Sequence, residues 1–212
     1  MGTKRVKKYD LSVMLKEAGI LFVITLVAGL LLGFVYELTK EPIAEQERKA
    51  VQEACKAVFQ DASSFEAVEY VPSEDLQEGL DAVGVISGSA YKAFGSDGRL
   101  LGYVVESISK RGYGGRIVLY AGIDLDGTLK GVSILDISET PGLGMRAEEV
   151  LVPQFQDKNV GSFVYTKAGA ASDNEIDAIT GATVTTRAFT NAVNGALQMA
   201  WELDAQGGDS DE

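Results

Sequence analysis

Residues 18–36, AGILFVITLVAGLLLGFVY, form a run of 19 without a charged side chain. As a helix rising about 1.5 Å per residue, the run covers roughly 29 Å, close to the thickness of a bilayer's hydrocarbon core. A cleaved secretory signal has a shorter apolar stretch, about 7–15 residues, ending in a small-x-small site. The segment that follows, YELTKEPIAEQERK, contains no such site. The sequence therefore predicts an uncleaved single-pass anchor over residues 18–38, in contact with the lipid bilayer, after a short N-terminal segment of residues 1–17. Five Lys/Arg precede the run (Lys4, Arg5, Lys7, Lys8 and Lys16), and four lie in residues 37–56 (Lys40, Arg48, Lys49 and Lys56). By the positive-inside rule this narrow excess favours a cytoplasmic N-terminus and a body on the outer face of the cell membrane.

Charge separates the two parts further. The chain has 19 Lys+Arg and 31 Asp+Glu, a net charge of −12; up to Glu17 five basic residues oppose two acidic ones, which leaves 14 against 29 in the remainder. So acidic a body repels polyphosphates, and nucleic acid is not an expected partner. Histidine is absent, which removes the commonest general base, the Ser/His and Cys/His dyads and the usual nitrogen ligand for zinc. Cys55 is the only cysteine, so an intrachain disulfide, a thiolate metal cluster and a CxxC pair are excluded. It reads as a small buried residue on a helix. No metal site is expected, and any chemistry has to come from a bound cofactor, carboxylates or hydroxyls.

Beyond the anchor, residues 41–59 read as a stalk helix, with Pro42 in a first helical turn and Ile43, Val51, Ala54, Cys55 and Val58 near helical spacing. The pattern then changes to period 2. Segments 90–94, 99–107, 116–124 and 128–137 are rich in β-branched and aromatic residues, and Asp97-Gly98 and Asp126-Gly127 are hairpin dipeptides. This predicts an antiparallel meander, with another strand at 162–166. A closing helix over 186–203 presents Phe189, Val193, Leu197 and Ala200 as one apolar stripe. Residues 204–212 read as a disordered acidic tail. The expected class is α+β: one N-terminal transmembrane helix, then an antiparallel sheet with flanking helices over residues 39–203.

The segment Asp177-Ala178-Ile179-Thr180-Gly181-Ala182-Thr183-Val184-Thr185-Thr186 gathers four threonines and a glycine just before the closing helix. One reading is an N-cap, with Thr185 or Thr186 accepting from the first free amides. The other is an anion site, because those amides and the positive end of the helix dipole attract phosphate. Gly181 and Ala182 would let a bulky phosphorylated ligand approach the backbone.

Asp177-x-x-Thr180-Gly181-Ala182-Thr183-x-Thr185 resembles the D-x-x-(S/T)-G-A-T-x-(S/T) flavinylation motif. That motif belongs to the membrane-bound electron-transport family containing the G subunit of the Rnf complex and the C subunit of the sodium-pumping NADH:quinone oxidoreductase. Glu139-Thr140-Pro141-Gly142-Leu143-Gly144 resembles the family's E-T-P-G-L-G loop beside the flavin, and residues 110–117, KRGYGGRI, its glycine-rich G-Y-x-G-x-I segment. The resemblance implies an FMN-binding domain with FMN covalently attached, through its phosphate, to Thr183 by a separate flavin transferase. Asp177 would serve in recognition by that enzyme or in magnesium binding during transfer, and amides near Thr185 and Thr186 would hold the phosphate. Thr140, Pro141, Gly142, Leu143 and Gly144 would line the flavin ring. It further implies a redox carrier, the G subunit of an Rnf-type ferredoxin:NAD⁺ oxidoreductase translocating sodium or protons, partnered by the complex's other subunits. One departure is visible: Rnf-type sequences often have His shortly before the position of Glu139, where this chain reads Leu135-Asp136-Ile137-Ser138. The C subunit of the quinone-reducing complex and a membrane-anchored scaffold without redox function are the rival readings. Gly142-x-Gly144-x-x-Ala147 also matches a dinucleotide-binding G-x-G-x-x-A, but an acidic residue ending a second parallel strand is missing.

Overall fold

The structure, a computed structural model, describes residues 11–208. The chain divides into two compact units, Met1–Lys49 and Ala50–Glu212. The described residues of the first unit are helical. Helix α1 (Leu11–Val58) passes through it and ends in the second unit. Among the described residues it is the one helix long and apolar enough to cross a membrane. Over residues 20–38 its apolar side chains are exposed on every side: Leu30, Leu31, Leu32 and Phe34 are 60–72% accessible. A helix apolar all round is stable only inside protein or lipid.

The stalk continues the anchor, as expected, but without a helix start at Glu41: the two are one element. Pro42 lies inside α1 and forfeits the hydrogen bond to the Leu38 carbonyl. The run of good helix formers around it (Glu41, Ala44, Glu45, Gln46, Glu47, Arg48, Lys49 and Ala50) carries the helix through.

The second unit is built on a five-stranded sheet in the order β1-β2-β3-β4-β5: β1 (Ser64–Val68), β2 (Val85–Phe94), β3 (Leu100–Ser109), β4 (Ile117–Asp124) and β5 (Leu129–Ile137). All neighbours are antiparallel, as the period-2 pattern requires. The two Asp-Gly pairs close the hairpins with Gly98 at φ 77° and Gly127 at φ 86°. Helix α2 (Glu74–Val83), which the sequence pattern does not predict, lies between β1 and β2; the Ser73 side chain caps its start and Gly84, at φ 75°, ends it.

Strand β4 is buried on both faces, and the sides of its residues explain the layering. Ile117, Leu119, Ala121 and Ile123 join the larger core with Leu80, Phe155, Phe189, Val193 and Leu197. On the other side, Tyr120 packs with Ala54, Cys55, Val58 and Phe59 from the end of α1. Removing a Phe189-sized side chain from water contributes about 2–3 kcal/mol, so the face of the last helix is a main anchor of the fold.

Beyond β5 the chain makes a 3-10 turn (Gly144–Arg146), a one-turn helix α3 (Ala147–Val150) and a second 3-10 turn (Val152–Phe155). The strand expected at 162–166 is β6 (Val164–Thr166). It does not extend the meander: it pairs in parallel with β7 (Glu175–Asp177) as a separate two-stranded sheet. The last helix, α4, spans Thr183–Gly208. It starts three residues before the expected boundary and runs through residues 204–208, where a tail was expected; residues 209–212, like residues 1–10, lie outside the described part. The G-x-G-x-x-A match falls in the 3-10 turn and α3, with no helical crossover to a strand parallel to β5.

Candidate functional site

The early start of α4 decides the geometry of the threonine-rich segment. Thr183, Val184 and Thr185 form its first turn, so their amides have no partner within the helix and point out of its positive end. Neither Thr185 nor Thr186 is the cap. The Thr186 hydroxyl is fully buried and spent on structure: it accepts from Ile179 N at 3.1 Å and donates to Ala182 O at 3.0 Å. This fixes the approach to the helix. Gly181 takes φ 80° just before it, a conformation in which any side chain would be strained.

Against this terminus packs the turn that leaves β5. The backbone of residues 140–143 closes by Leu143 N donating to Thr140 O at 3.1 Å, with Pro141 and then Gly142 (φ 76°) at its corners, the arrangement of a type II turn. Gly144 brings turn and helix together: a Cβ there would lie 2.7 Å from Thr185 Oγ1 and 2.8 Å from Glu139 Cβ. Glu139, buried, accepts from Tyr113 N at 2.7 Å and Gly114 N at 3.2 Å. Three separate stretches thus meet.

Between them lies a cleft of about 400 Å³ lined by Tyr113, Glu139, Thr140, Leu143, Gly144, Gly181, Ala182, Thr183, Val184 and Thr185. Thr185 is 1% exposed, yet among the described residues nothing hydrogen-bonds its hydroxyl, which borders the cleft. The Thr183 hydroxyl is likewise unpartnered there and half-buried. Both hydroxyls are open to a ligand in the cleft, and free amides at a helix start favour an anion. Both features fit a phosphate-bearing ligand, and Leu143, Val184 and Tyr113 supply apolar lining beside them.

The family model described as FMN-binding domain matches residues 112–198, and that of the RnfG N-terminal region matches residues 8–58. The G subunit of the Na⁺-translocating ferredoxin:NAD⁺ oxidoreductase complex of Acetobacterium woodii is 33% identical over 96% of this chain and 99% of its own. The chain belongs to the RnfG family of ion-translocating oxidoreductase complexes. The G subunit of the proton-translocating ferredoxin:NAD⁺ oxidoreductase complex of Clostridium ljungdahlii is 30% identical over 81% of this chain and 83% of its own. The crystal structure of Shewanella oneidensis NqrC is similar with a TM-score of 0.47 and 20% identity, over 70% of this chain and 74% of that one. Every residue lining the cleft of this RnfG-family chain falls within its FMN-binding domain.

Of the residues singled out in the sequence, Glu139, Thr140, Leu143, Gly144, Gly181, Ala182, Thr183 and Thr185 meet at the cleft. Thr186 supports it from beneath. Pro141 and Gly142 shape the turn without lining the cleft, and Thr180 is exposed outside it. Asp177 lies away from the lining: its backbone is clasped by Gln154, and its carboxylate accepts from Ala170 N at 2.7 Å. Its exposed position leaves it open to another macromolecule. Tyr113 and Val184 join the lining without having been expected there. Tyr113 is visible in the sequence as the aromatic inside the glycine-rich block; Val184 is a wall residue only because α4 begins before it.

Proposed function

We propose that this chain is the electron-carrying G subunit of an Rnf-type ferredoxin:NAD⁺ oxidoreductase, with FMN joined through its phosphate to Thr183. The single observation carrying this reading is the first turn of α4, where the Thr183 and Thr185 hydroxyls, neither with a hydrogen-bond partner among the described residues, stand beside free amides at the cleft. FMN, when bound, supplies one- and two-electron transfer, while the protein sets its position and potential. Thr183 Oγ1 becomes the ester oxygen. The amides of Val184 and Thr185, with the Thr185 hydroxyl, would hold the phosphate, and Leu143 and Val184 would keep water from part of the flavin ring. Asp177 stays at the surface for recognition by the flavin transferase. Residues 18–38 cross the cell membrane with the N-terminus in the cytoplasm, and the domain from residue 39 lies on the extracytoplasmic face, where a dissociable cofactor would be lost by diffusion. The other subunits of the complex donate and accept the electrons, and the coupled ion is sodium or a proton.

The full chain made together with a flavin transferase is expected to give a fluorescent band after denaturing electrophoresis and the added mass of FMN phosphoryl on the Thr183 peptide. Thr183→Val should abolish both, whereas Thr185→Val should keep the bond. A band that survives Thr183→Val and disappears in Thr185→Val moves the attachment site; native protein without the added mass removes covalent attachment. Asp177→Ala should lower loading without unfolding the domain, and normal loading would end its recognition role.

A further inference from the structure

Tyr113 combines a fixed backbone with a free ring. Tyr113 borders the cleft but is 73% exposed, and among the described residues its hydroxyl has no hydrogen-bond partner and its ring stacks on no other ring. Its amide, by contrast, donates to Glu139 Oε1 at 2.7 Å, and the next amide, of Gly114, donates to Oε2 at 3.2 Å. Glu139 is only 8% exposed, and among the described residues no cation pairs with it. A buried carboxylate without a counter-charge is tolerable only when its oxygens are hydrogen-bonded. Glycines make room for it: a Cβ on Gly112 would lie 2.6 Å from Oε1, and one on Gly144 would lie 2.9 Å from Oε2. Both carboxylate oxygens therefore face the loop of residues 112–115, and an aromatic ring is left standing at the edge of an apolar cleft.

We infer that Tyr113 stacks on the flavin ring as the outer wall of the cleft, and that Glu139 is the positioning residue that keeps it there by gripping its backbone. This rests on FMN being carried at Thr183. Glu139 acts through Tyr113, because each of its oxygens accepts an amide of the loop that carries the ring. The Tyr113 ring, an electron-rich phenol, quenches the excited flavin it covers and shields that face from solutes.

Two readouts on the full chain test the inference. Trypsin gives the one that needs no flavin, because Lys110, Arg111 and Arg116 bracket the loop. In the flavin-free protein, Glu139→Gln is expected to speed cleavage at these sites by about tenfold, the opening factor that loss of a charge-assisted hydrogen bond implies. Glu139→Asp should keep part of the protection, and Tyr113→Phe should match the unsubstituted rate. Cleavage of Glu139→Gln at the unsubstituted rate overturns the tether. In the flavinylated protein, Tyr113→Phe and Tyr113→Ala should raise emission per attached flavin several-fold, and Tyr113→Ala should also raise its quenching by iodide. Glu139→Gln should do the same in the native background and add nothing to Tyr113→Ala, as a residue acting through another must. Emission and iodide access unchanged in Tyr113→Ala overturn the wall; an equal rise from Glu139→Gln in both backgrounds overturns action through Tyr113. Thr183 peptides without FMN mass overturn the covalent reading and the wall together, and the trypsin comparison still decides the tether.

Discussion

At the scale of single residues, two glycines in one turn do different work. Gly142 holds φ 76° in open space, with nothing near a Cβ, whereas Gly144 is crowded by Thr185 Oγ1 and the Glu139 side chain. Gly142→Ala is thus expected to cost about 1 kcal/mol, from backbone strain alone, and to leave flavin loading unchanged. Gly144→Ala should cost about 1–3 kcal/mol by overpacking and reduce loading, because the turn must move off the first turn of α4. Urea midpoints of the detergent-solubilised chain, read beside flavin stoichiometry, separate the two; equal loading in both variants would mean that the close approach at Gly144 does not shape the cleft. Cys55 makes a sharper case for inertness. It is 1% exposed, and burial pushes its thiol up to about 12, so the thiolate needed for reaction is nearly absent at neutral pH. A maleimide should label it only after denaturation; rapid labelling of the folded chain would contradict its place in the core beside Val58 and Phe59.

At the scale of elements, α4 is the part that must stay rigid, and the Glu202 carboxylate helps to pin its far end. Glu202 accepts from Tyr70 Oη at 2.5 Å and from Ser73 N at 3.0 Å, tying the helix to the segment that caps α2. Burial pushes its pKa up, but the bonds from Ser73 and Tyr70 outweigh this and hold it below the ordinary 4.5. A carboxyl more acidic in the folded state adds stability above its unfolded pKa and loses it as pH falls through the folded one. Glu202→Gln should therefore lower stability by about 1 kcal/mol at pH 7, with the gap to the unsubstituted chain closing below pH 4.5; a gap constant with pH would show that the charge is not what matters. Strands β3 to β5, the second half of β2 and the body of α4 are legible in the sequence because β-branched and aromatic residues cluster there, two of the turns carry Asp-Gly, and the apolar stripe of α4 matches its burial. Helix α2 is hard to read although Ser73 and Gly84 bracket it, since its apolar face is short. Strand β1 is mostly exposed and shows no clean alternation, and β7 has only three residues. Pro42 misleads because its preference for a first turn is a strong local signal, whereas the helix formers on both sides act only in sum. At the cleft, the motif residues are legible as types, but which of them face it depends on where α4 starts and how it docks on residues 140–144, a tertiary outcome that local pattern does not carry.

At the scale of the whole molecule, the +3 segment up to Glu17 and the body with 14 basic against 29 acidic residues flank, in sequence, a helix apolar enough to cross a membrane. A −15 body repels an anionic lipid surface, whereas basic residues near the cytoplasmic leaflet are attracted by about 1 kcal/mol each. Both effects favour the proposed orientation, although flanking Lys/Arg numbers differ only as five to four. Topology should consequently be correct but narrowly held. A C-terminal alkaline phosphatase fusion, active only outside the cytoplasm, is expected to be active, and a green fluorescent protein fusion exported in the same way should be dark. Replacing Lys4, Arg5 and Lys7 with glutamine leaves two basic residues before the span against four after it. That chain should show mixed topology, with phosphatase activity and flavin loading falling together, because only the exported domain would meet the transferase. Loading that persists while phosphatase activity falls would put the modifying enzyme on the cytoplasmic side, and phosphatase activity that does not fall would mean the acidic body, not the flanking cations, sets the orientation.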